Sequence, residues 1–312
     1  MRMLFGTLLA GVLALGGEQT ASAQDLPVKT VRIVVPGGAG GGADTATRLF
    51  ATALENAAGI QAIVTNQTAG GGVVATQSLH TARPDGATLM VAHAKLHTQE
   101  IGGNTELGYG DLTPLGTISE INTAYVARAD APYSTLEELI AYTGEHPDEV
   151  VMATQASGTS QVMGNALNAA TGGKLRLVDF GSTSKRLPAL IGNQAQVSMI
   201  PTGIVQQYVD SGDLKALAVI NDRSDPALPE VPTAKSQGIE ISFPLVVTLY
   251  GPPGMSEEVV SAYERAIAKV QDDPAFRDAI IKIGQNPVSM TPEETRAFLE
   301  REFEFVKMMT GK

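Results

Sequence analysis

The 312-residue chain predicts an α/β protein of two lobes with a ligand-binding cleft between them. Three observations indicate this fold. Strand and helix patterns alternate, the alternation restarts near residue 122, and each half has a small-residue loop between a strand and a helix. Because ligands of open α/β sheets bind at the carboxyl ends of strands, we expect the two loops to face one cleft.

The first 23 residues have the pattern of an export signal. Arg2 precedes an apolar stretch at 4–15, and Ala-Ser-Ala at 21–23 is a small-x-small cleavage site. The apolar stretch is shorter than the ~20 residues that span a bilayer, which argues against a membrane anchor. We therefore expect a cleaved signal peptide, residues 1–23, and a soluble exported chain that begins at Gln24 and resides in the periplasm.

The elements of the first half follow a β-α-β-α-β order, which favours a parallel sheet covered by helices. Strands are predicted at 31–35, 60–65 and 88–92, and helices at 44–57 and 73–82.

The second half begins with a strand at 122–129 that leaves the first lobe. Ser134 is a predicted N-cap, with Glu137 at the capping-box position. Apolar spacing predicts helices at 136–143, 161–170 and 185–191 and strands at 150–154, 175–180, 197–200 and 216–219. A strand at 245–250 and helices at 256–272 and 292–308 end the chain.

Composition narrows the classes of partner. The net charge is −11, which disfavours nucleic acid and anionic membranes as partners. The chain has no cysteine, so thiolate metal sites and cysteine nucleophiles are excluded. It also lacks tryptophan and is poor in aromatic residues, which makes a carbohydrate ligand less favoured.

The clearest candidate site is the loop at residues 36–44, after the first strand, which contains five glycines and is here called the glycine loop. Helix N-termini present free backbone N–H groups to anions, and this loop runs into a helix. A P-loop needs Lys and Ser/Thr after Gly42, where this chain has Ala43 and Asp44. A dinucleotide fingerprint matches only loosely, and a simple tight turn stays open as an alternative. Asp44 either stabilises the loop and helix or accepts a hydrogen bond from a ligand.

A second candidate loop comprises Ser157, Gly158, Thr159 and Ser160, again at a predicted helix start. Ordinary N-capping would use one of these hydroxyl groups and leave the others for a ligand. Thr183 and Ser184 precede another helix, and the same reasoning applies to them with less force.

His93 and His97 have a spacing that binds zinc on a helix, but two histidines make an incomplete site, and a continuous helix directly after the third strand is not expected. His93 and Lys95 are instead candidates to bring positive charge to the cleft. No Gly-x-Ser-x-Gly elbow or other catalytic set is present, so we predict no catalytic residue, metal or cofactor.

Several motifs together resemble one family, the periplasmic receptors of tripartite tricarboxylate transporters, also called the Bug or TctC family. The resemblance runs from about Thr30 to Val306. It is carried by Ile-Val-Val-Pro at 33–36, Ala-Gly-Gly-Gly-Ala-Asp at 39–44, Asn66 with Gly-Gly-Gly at 70–72, Arg-Pro-Asp-Gly at 83–86, Ala-Leu-Ile-Gly at 189–192, Leu-Lys-Ala-Leu-Ala-Val at 214–219 and Pro-Ala-Leu-Pro-Glu-Val-Pro-Thr at 226–233.

The resemblance implies a two-lobed Venus-flytrap fold of type II, with a mixed sheet in each lobe and the ligand between the lobes. The lobes would comprise residues 24–124 plus 236–312 and residues 125–235. The family pattern differs here at Phe180-Gly181-Ser182, where Tyr-Lys-Gly is common, and at Gln161 and Ile200, where His and Asp are common. The apolar side chains of Phe180 and Ile200 therefore predict that the distal wall of the cleft, formed by the second lobe, is less polar than is common in the family.

The predicted function is that of a receptor for a small organic carboxylate, delivered to membrane permease subunits. A di- or tricarboxylate or an aromatic acid is expected, as is a monomer. Alternatives are an exported enzyme acting on a small acid and a carboxylate sensor. The predicted ligand-binding residues are Gly38, Ala39, Gly40, Gly41, Gly42, Asp44, Asn66, His93, Ser157, Gly158, Thr159, Ser160, Phe180, Thr183 and Pro201.

Overall fold

The computed structural model describes residues 26–311. The predicted signal peptide at 1–23 lies outside the described residues. Within 26–311 the chain forms two mixed β-sheets, each covered by helices. No helix in this range is both long and apolar enough to cross a membrane.

The first sheet and its helices, here the first lobe, begin the chain. Their elements up to the first crossing are β1 (Thr30–Val35), α1 (Gly42–Ala58), β2 (Gln61–Asn66), α2 (Val73–His80), β3 (Thr88–Ala92), α3 (Lys95–Ile101) and β4 (Thr113–Ile121).

The second sheet and its helices, here the second lobe, follow without interruption. They are β5 (Thr123–Arg128), α4 (Leu136–Glu145), β6 (Val151–Thr154), α5 (Thr159–Ala170), β7 (Arg176–Asp179), α6 (Thr183–Ile191), β8 (Val197–Pro201), α7 (Thr202–Asp210) and β9 (Leu214–Val219). The chain then returns to the first lobe with β10 (Leu245–Gly251), α8 (Glu257–Asp272), α9 (Pro274–Lys282), β11 (Gln285–Asn286) and α10 (Pro292–Thr310).

The strands of the two sheets are arranged alike, except that the first sheet has an additional edge strand, β11. The first runs β11-β4-β10-β3-β1-β2, and the second runs β7-β6-β8-β5-β9. In each sheet three strands pair in parallel, β2-β1-β3 and β7-β6-β8. The next strand is β10 in the first sheet and β5 in the second. Each of these strands follows a crossing between the lobes and pairs antiparallel with its neighbours on both sides. Each sheet is therefore mixed, as the family resemblance implies. The boundaries of the two lobes stay a proposal.

Burial explains the continuous apolar run in β1. Ile33 and Val35 pack into a core cluster that also contains α1 residues, whereas Val34 packs on the opposite face against Met90 and Leu79. The sheet is thus covered on both faces, which a parallel strand requires. The larger cluster also contains Tyr125 of β5, so the apolar core continues from one lobe into the other.

Glu120 joins the segments that cross between the lobes. Its Oε1 accepts hydrogen bonds from Asn221 Nδ2 at 2.7 Å, Asn286 Nδ2 at 2.9 Å and Arg223 Nη2 at 3.0 Å. The carboxylate is buried, and Asn221 and Arg223 belong to the return segment after β9. One side chain thereby fixes both crossings and the end strand β11.

The structure corrects several local expectations. Helix α3, which the sequence analysis does not predict, begins at Lys95, so His93 precedes it and does not share a continuous helix with His97. The N-cap of α4 is Thr135, with Glu138 in the capping box, one residue later than predicted. Strand β4 and helices α7 and α9 were not predicted; β4 contains Pro114 and Gly116, which obscure a strand pattern.

Candidate functional site

A cavity of about 700 Å³ lies between the two lobes. The first lobe contributes the loop between β1 and α1 and the segment after β3, and the second contributes the first residues of α5, α6 and α7. These segments all follow carboxyl ends of strands, where ligands of open α/β sheets bind.

The glycine loop forms the first wall. Gly40 has a φ of +76°, which favours glycine. The loop also packs closely on a neighbour, because a Cβ on Gly72 would lie 2.9 Å from Pro36. Helix α1 has Gly41 as N-cap and no capping side chain, so first-turn amides stay available to a ligand.

Asp44 is buried in the first turn of α1 and stabilises the loop. Its Oδ2 accepts from the Gly40 amide at 2.8 Å and from Arg48 Nε at 3.0 Å. Its Oδ1 accepts from Arg48 Nη2 at 3.0 Å and Asn66 Nδ2 at 2.9 Å. Burial alone would raise the pKa of Asp44, but the hydrogen bonds outweigh burial and lower it. These contacts explain why an acid follows the glycines.

Helix N-termini also form the second wall. Helix α5 has Gly158 as N-cap and α6 has Ser182, and no side chain caps either helix. Thr159, Thr183 and Ser184 line the cavity with these starts. Together with α1, three uncapped helix N-termini open on the same cavity, an arrangement that favours a small anion.

Arg186 of α6 also lines the cavity, although the sequence analysis did not identify it. Arg186 is buried, with 4% of the residue exposed. Its Nη1 donates to Ser160 Oγ at 2.6 Å and to the Gly181 carbonyl at 3.3 Å. Its Nη2 donates to Thr183 Oγ1 at 3.0 Å and to the Met199 carbonyl at 3.1 Å.

The distal wall is therefore more polar than expected, because a guanidinium lies where a less polar surface was predicted. Burial lowers the pKa of Arg186 to about 10. Ile200 is fully buried in the core and is not among the lining residues.

His93 and Lys95 both line the cavity. Burial, together with the nearby Lys95 and His97, lowers the pKa of His93 to about 4. Burial also lowers the pKa of Lys95. His97 instead points into the protein, with its Nε2 2.9 Å from Glu302 Oε2 of α10. Within residues 26–311 no group of three or more metal-ligating His, Asp or Glu side chains comes together.

The structure brings eleven of the fifteen predicted site residues to the cavity wall: Gly38, Ala39, Gly40, Gly41, Gly42, Asp44, His93, Gly158, Thr159, Thr183 and Pro201.

The other four predicted residues are not part of the lining. The Asn66 amide group bonds to Asp44 and to the Gly37 carbonyl. Ser160 Oγ accepts hydrogen bonds from the Gln155 amide and from Arg186 Nη1, and so holds the Arg186 side chain in place. Ser157 has a left-handed backbone conformation, with φ at +54°. The Phe180 amide continues the β6–β7 ladder by donating to the Thr154 carbonyl.

Comparison with known proteins agrees with this fold. A UPF0065 protein of Bordetella bronchiseptica is 29% identical over 310 residues, which cover 97% of this chain and 91% of the relative. A TctC solute-binding protein from Polaromonas has a TM-score of 0.79 at 26% identity, covering 90% of this chain and 98% of that one. MatC of Rhodopseudomonas palustris, solved with bound malate, has a TM-score of 0.76 at 26% identity, covering 91% and 99%.

The family model described as "Tripartite tricarboxylate transporter family receptor" matches residues 46–309. This match spans most of the chain and confirms the resemblance inferred from the motifs. The solved structures confirm the two-lobed fold with mixed sheets. The chain thus belongs to the TctC family of tripartite tricarboxylate transporter receptors.

Proposed function

We propose that this protein is a periplasmic receptor that binds a small organic carboxylate between its lobes and delivers it to the permease subunits of a tripartite transporter. The observation that carries the proposal is the meeting of three uncapped helix N-termini, those of α1, α5 and α6, at one cavity. Free amides at helix starts bind carboxylates by charge-assisted hydrogen bonds.

The relatives support a carboxylate rather than another anion. MatC, with 26% identity over nearly the whole chain, holds malate. A cavity of about 700 Å³ has the volume of a small-molecule site. Asp44 in the first turn of α1 opposes a phosphate group more than a carboxylate, because phosphate carries the greater negative charge.

A binding role is favoured over catalysis. The family is one of receptors. His93 lines the cavity, but with a pKa of about 4 it is a weak base at neutral pH. We propose that the exported protein acts as a monomer, since the cavity is built from both lobes of a single chain.

Calorimetric titration with a panel of mono-, di- and tricarboxylates and aromatic acids tests the proposal. We expect one ligand per chain with a dissociation constant in the low micromolar range or below, which is typical of several charge-assisted hydrogen bonds. Mass spectrometry of the bound ligand should show it chemically unchanged. Absence of binding across the panel, or conversion of the ligand, would contradict a receptor function.

The substitution Gly38→Val tests whether the glycine loop contacts the ligand. An added Cβ on Gly38 meets no protein atom within 4 Å, so we expect the variant to fold like the wild type. Because Gly38 lines the cavity, we expect about tenfold weaker binding. Gly110→Val is the matched control, since Gly110 also has free space but lies outside the lining. Equal affinities for the two variants would remove the loop from the site.

A further inference from the structure

Two cationic side chains on the cavity wall have no acidic partner among the described residues. Lys95 follows β3 in the first lobe, and Arg186 lies on α6 in the second. No carboxylate oxygen of residues 26–311 lies within 4.0 Å of either cation, although seven other basic side chains of this range have such a partner. Since a buried charge is costly unless it is paired, both positions favour an anion from outside the protein.

Arg186 has one unused donor. Four of its five N–H groups are directed to Ser160, Thr183 and two carbonyl oxygens, but its buried Nε has no hydrogen-bond partner. Asp179 is the acidic residue that influences the guanidinium from a distance, and its Oδ1 accepts from the Ala156 and Gly181 amides instead. The guanidinium is therefore held in a fixed position with its charge uncompensated.

The lining and Arg48, which is not a lining residue but pairs with Asp44, together carry an excess of two positive charges. Asp44 is the acidic residue of the described lining, and Arg48 compensates it through two hydrogen bonds. His93 is neutral near pH 7 because burial lowers its pKa to about 4. Lys95 and Arg186 remain, although the whole chain has a net charge of −11. The local charge thus has the opposite sign to the overall charge.

We propose that Lys95 and Arg186 are two cationic subsites that select a dicarboxylate dianion over a monocarboxylate. This inference rests on the proposed carboxylate function and adds the charge of the ligand to it. A ligand with two carboxylates compensates both cations at once, whereas a monocarboxylate leaves one of them unpaired. Because the cations belong to different lobes, a bound dianion also links the lobes by its two ends.

Ligand pairs that differ in a single charge test the inference on the unaltered protein. Succinate, glutarate and adipate are titrated calorimetrically near neutral pH, each beside its monoamide, succinamate, glutaramate or adipamate. The monoamides keep the length and shape of the diacids but have one carboxylate. We expect at least one diacid to bind roughly tenfold or more tightly than its monoamide.

Charge-removing variants identify the residues. Lys95→Met and Arg186→Met should each weaken diacid binding by roughly tenfold or more. A monoamide has one carboxylate and pairs with one of the two cations, so removal of the other cation should change monoamide binding by less than about threefold. Lys185→Met is the matched control, because Lys185 precedes Arg186 on α6 but is exposed and outside the lining. Arg186→Lys, which keeps the charge, should retain part of the discrimination.

Thermal unfolding of each variant by circular dichroism checks the fold, since Arg186 bonds to four groups of the second lobe. Should Arg186→Met not fold, Lys95→Met and the wild-type ligand pairs decide the question. Equal binding of diacids and monoamides by the wild type, or diacid binding by a folded Lys95→Met or Arg186→Met variant at wild-type affinity, overturns the inference and leaves the carboxylate receptor standing. Failure of every carboxylate to bind the wild type refutes both proposals.

Discussion

The carboxylate of Asp44 joins three segments of the first lobe, namely the glycine loop, helix α1 and the end of strand β2. Its partners are the Gly40 amide, Arg48 and Asn66, and together they occupy both carboxylate oxygens. The loop that presents amides to the cavity is thereby fixed before any ligand arrives, which lowers the entropic cost of binding.

The substitution Asp44→Asn should therefore both destabilise the protein and weaken ligand binding. We expect a loss of about 1–2 kcal/mol in the free energy of unfolding, a modest value because Arg48 is half exposed. Urea denaturation measures the loss, and Asp130→Asn, which alters an exposed pair with Arg128, is the matched control. A stability equal to that of the control would show that Asp44 does not fix the loop.

The same variant should alter the pH dependence of stability. The pKa of Asp44 is lower in the folded protein than its usual value of about 3.9 in an unfolded chain. The stabilisation is therefore fully present above that value and is lost as the pH falls through the lower, folded-state pKa. The difference between wild type and Asp44→Asn should shrink in acid.

Individual site residues were predictable from sequence to different degrees. The glycine loop was accessible because repeated glycines before a helix have few other physical explanations. Arg186 was not, because a single arginine in a helix is usually a solvated surface residue, and its burial depends on how α6 packs on β8. Ser160 was placed in the site from its position in a loop, yet its hydroxyl turns to Gln155 and Arg186.

Helices in this protein divide into those with capping side chains and those without. Helices α4, α8, α9 and α10 are capped by Thr135, Ser256, Asp273 and Thr291, and none of these cap residues lines the cavity. Helices α1, α5 and α6, whose starts line the cavity, have no side-chain cap, and neither do α2, α3 and α7. A capping side chain occupies amides that a ligand would use, so its absence leaves the starts of α1, α5 and α6 available for the proposed ligand.

Removal of a cap away from the cavity should reduce stability without affecting binding. Thr135→Ala deletes the hydroxyl that accepts from the Glu138 amide and should cost about 1 kcal/mol. Ser134→Ala is the matched control, because the Ser134 hydroxyl is not the α4 cap. Chemical denaturation compares the two variants. A larger loss for Ser134→Ala would return the cap to the residue that the sequence pattern indicated.

The elements that the sequence does not predict escape for different physical reasons. Strand β4 contains a proline and a glycine and is buried along nearly its whole length, so it shows no alternation of apolar and polar residues. Helix α9 begins at Pro274 after the N-cap Asp273, which is an ordinary helix start signal, but the helix has only nine residues. Helix α3 has only seven residues, too few for a clear helical period.

The whole molecule is organised around the two crossings between the sheets. Residues of both crossings meet at Glu120, whose Oε1 accepts three hydrogen bonds. Helix α10 adds a further link, since the Met309 carbonyl accepts from Asn165 Nδ2 of α5 at 2.8 Å.

The strand order also sets the order in which the lobes can form. Strand β10 lies between β3 and β4 at the centre of the first sheet, yet it follows the entire second sheet in sequence. The second sheet is complete at Val219, whereas the first has a gap in its middle until Leu245–Gly251 has paired. Closing that gap needs contacts between residues far apart in sequence, which form slowly.

We therefore expect refolding from denaturant to protect the amides of β5, β6 and β8 before those of β3, β4 and β10. Pulse-labelling hydrogen exchange followed by peptide mass spectrometry measures both sets in one experiment. Simultaneous protection would show that the sheets fold as one unit. Under the order that the topology implies, the lobe that begins the chain is the last to be completed.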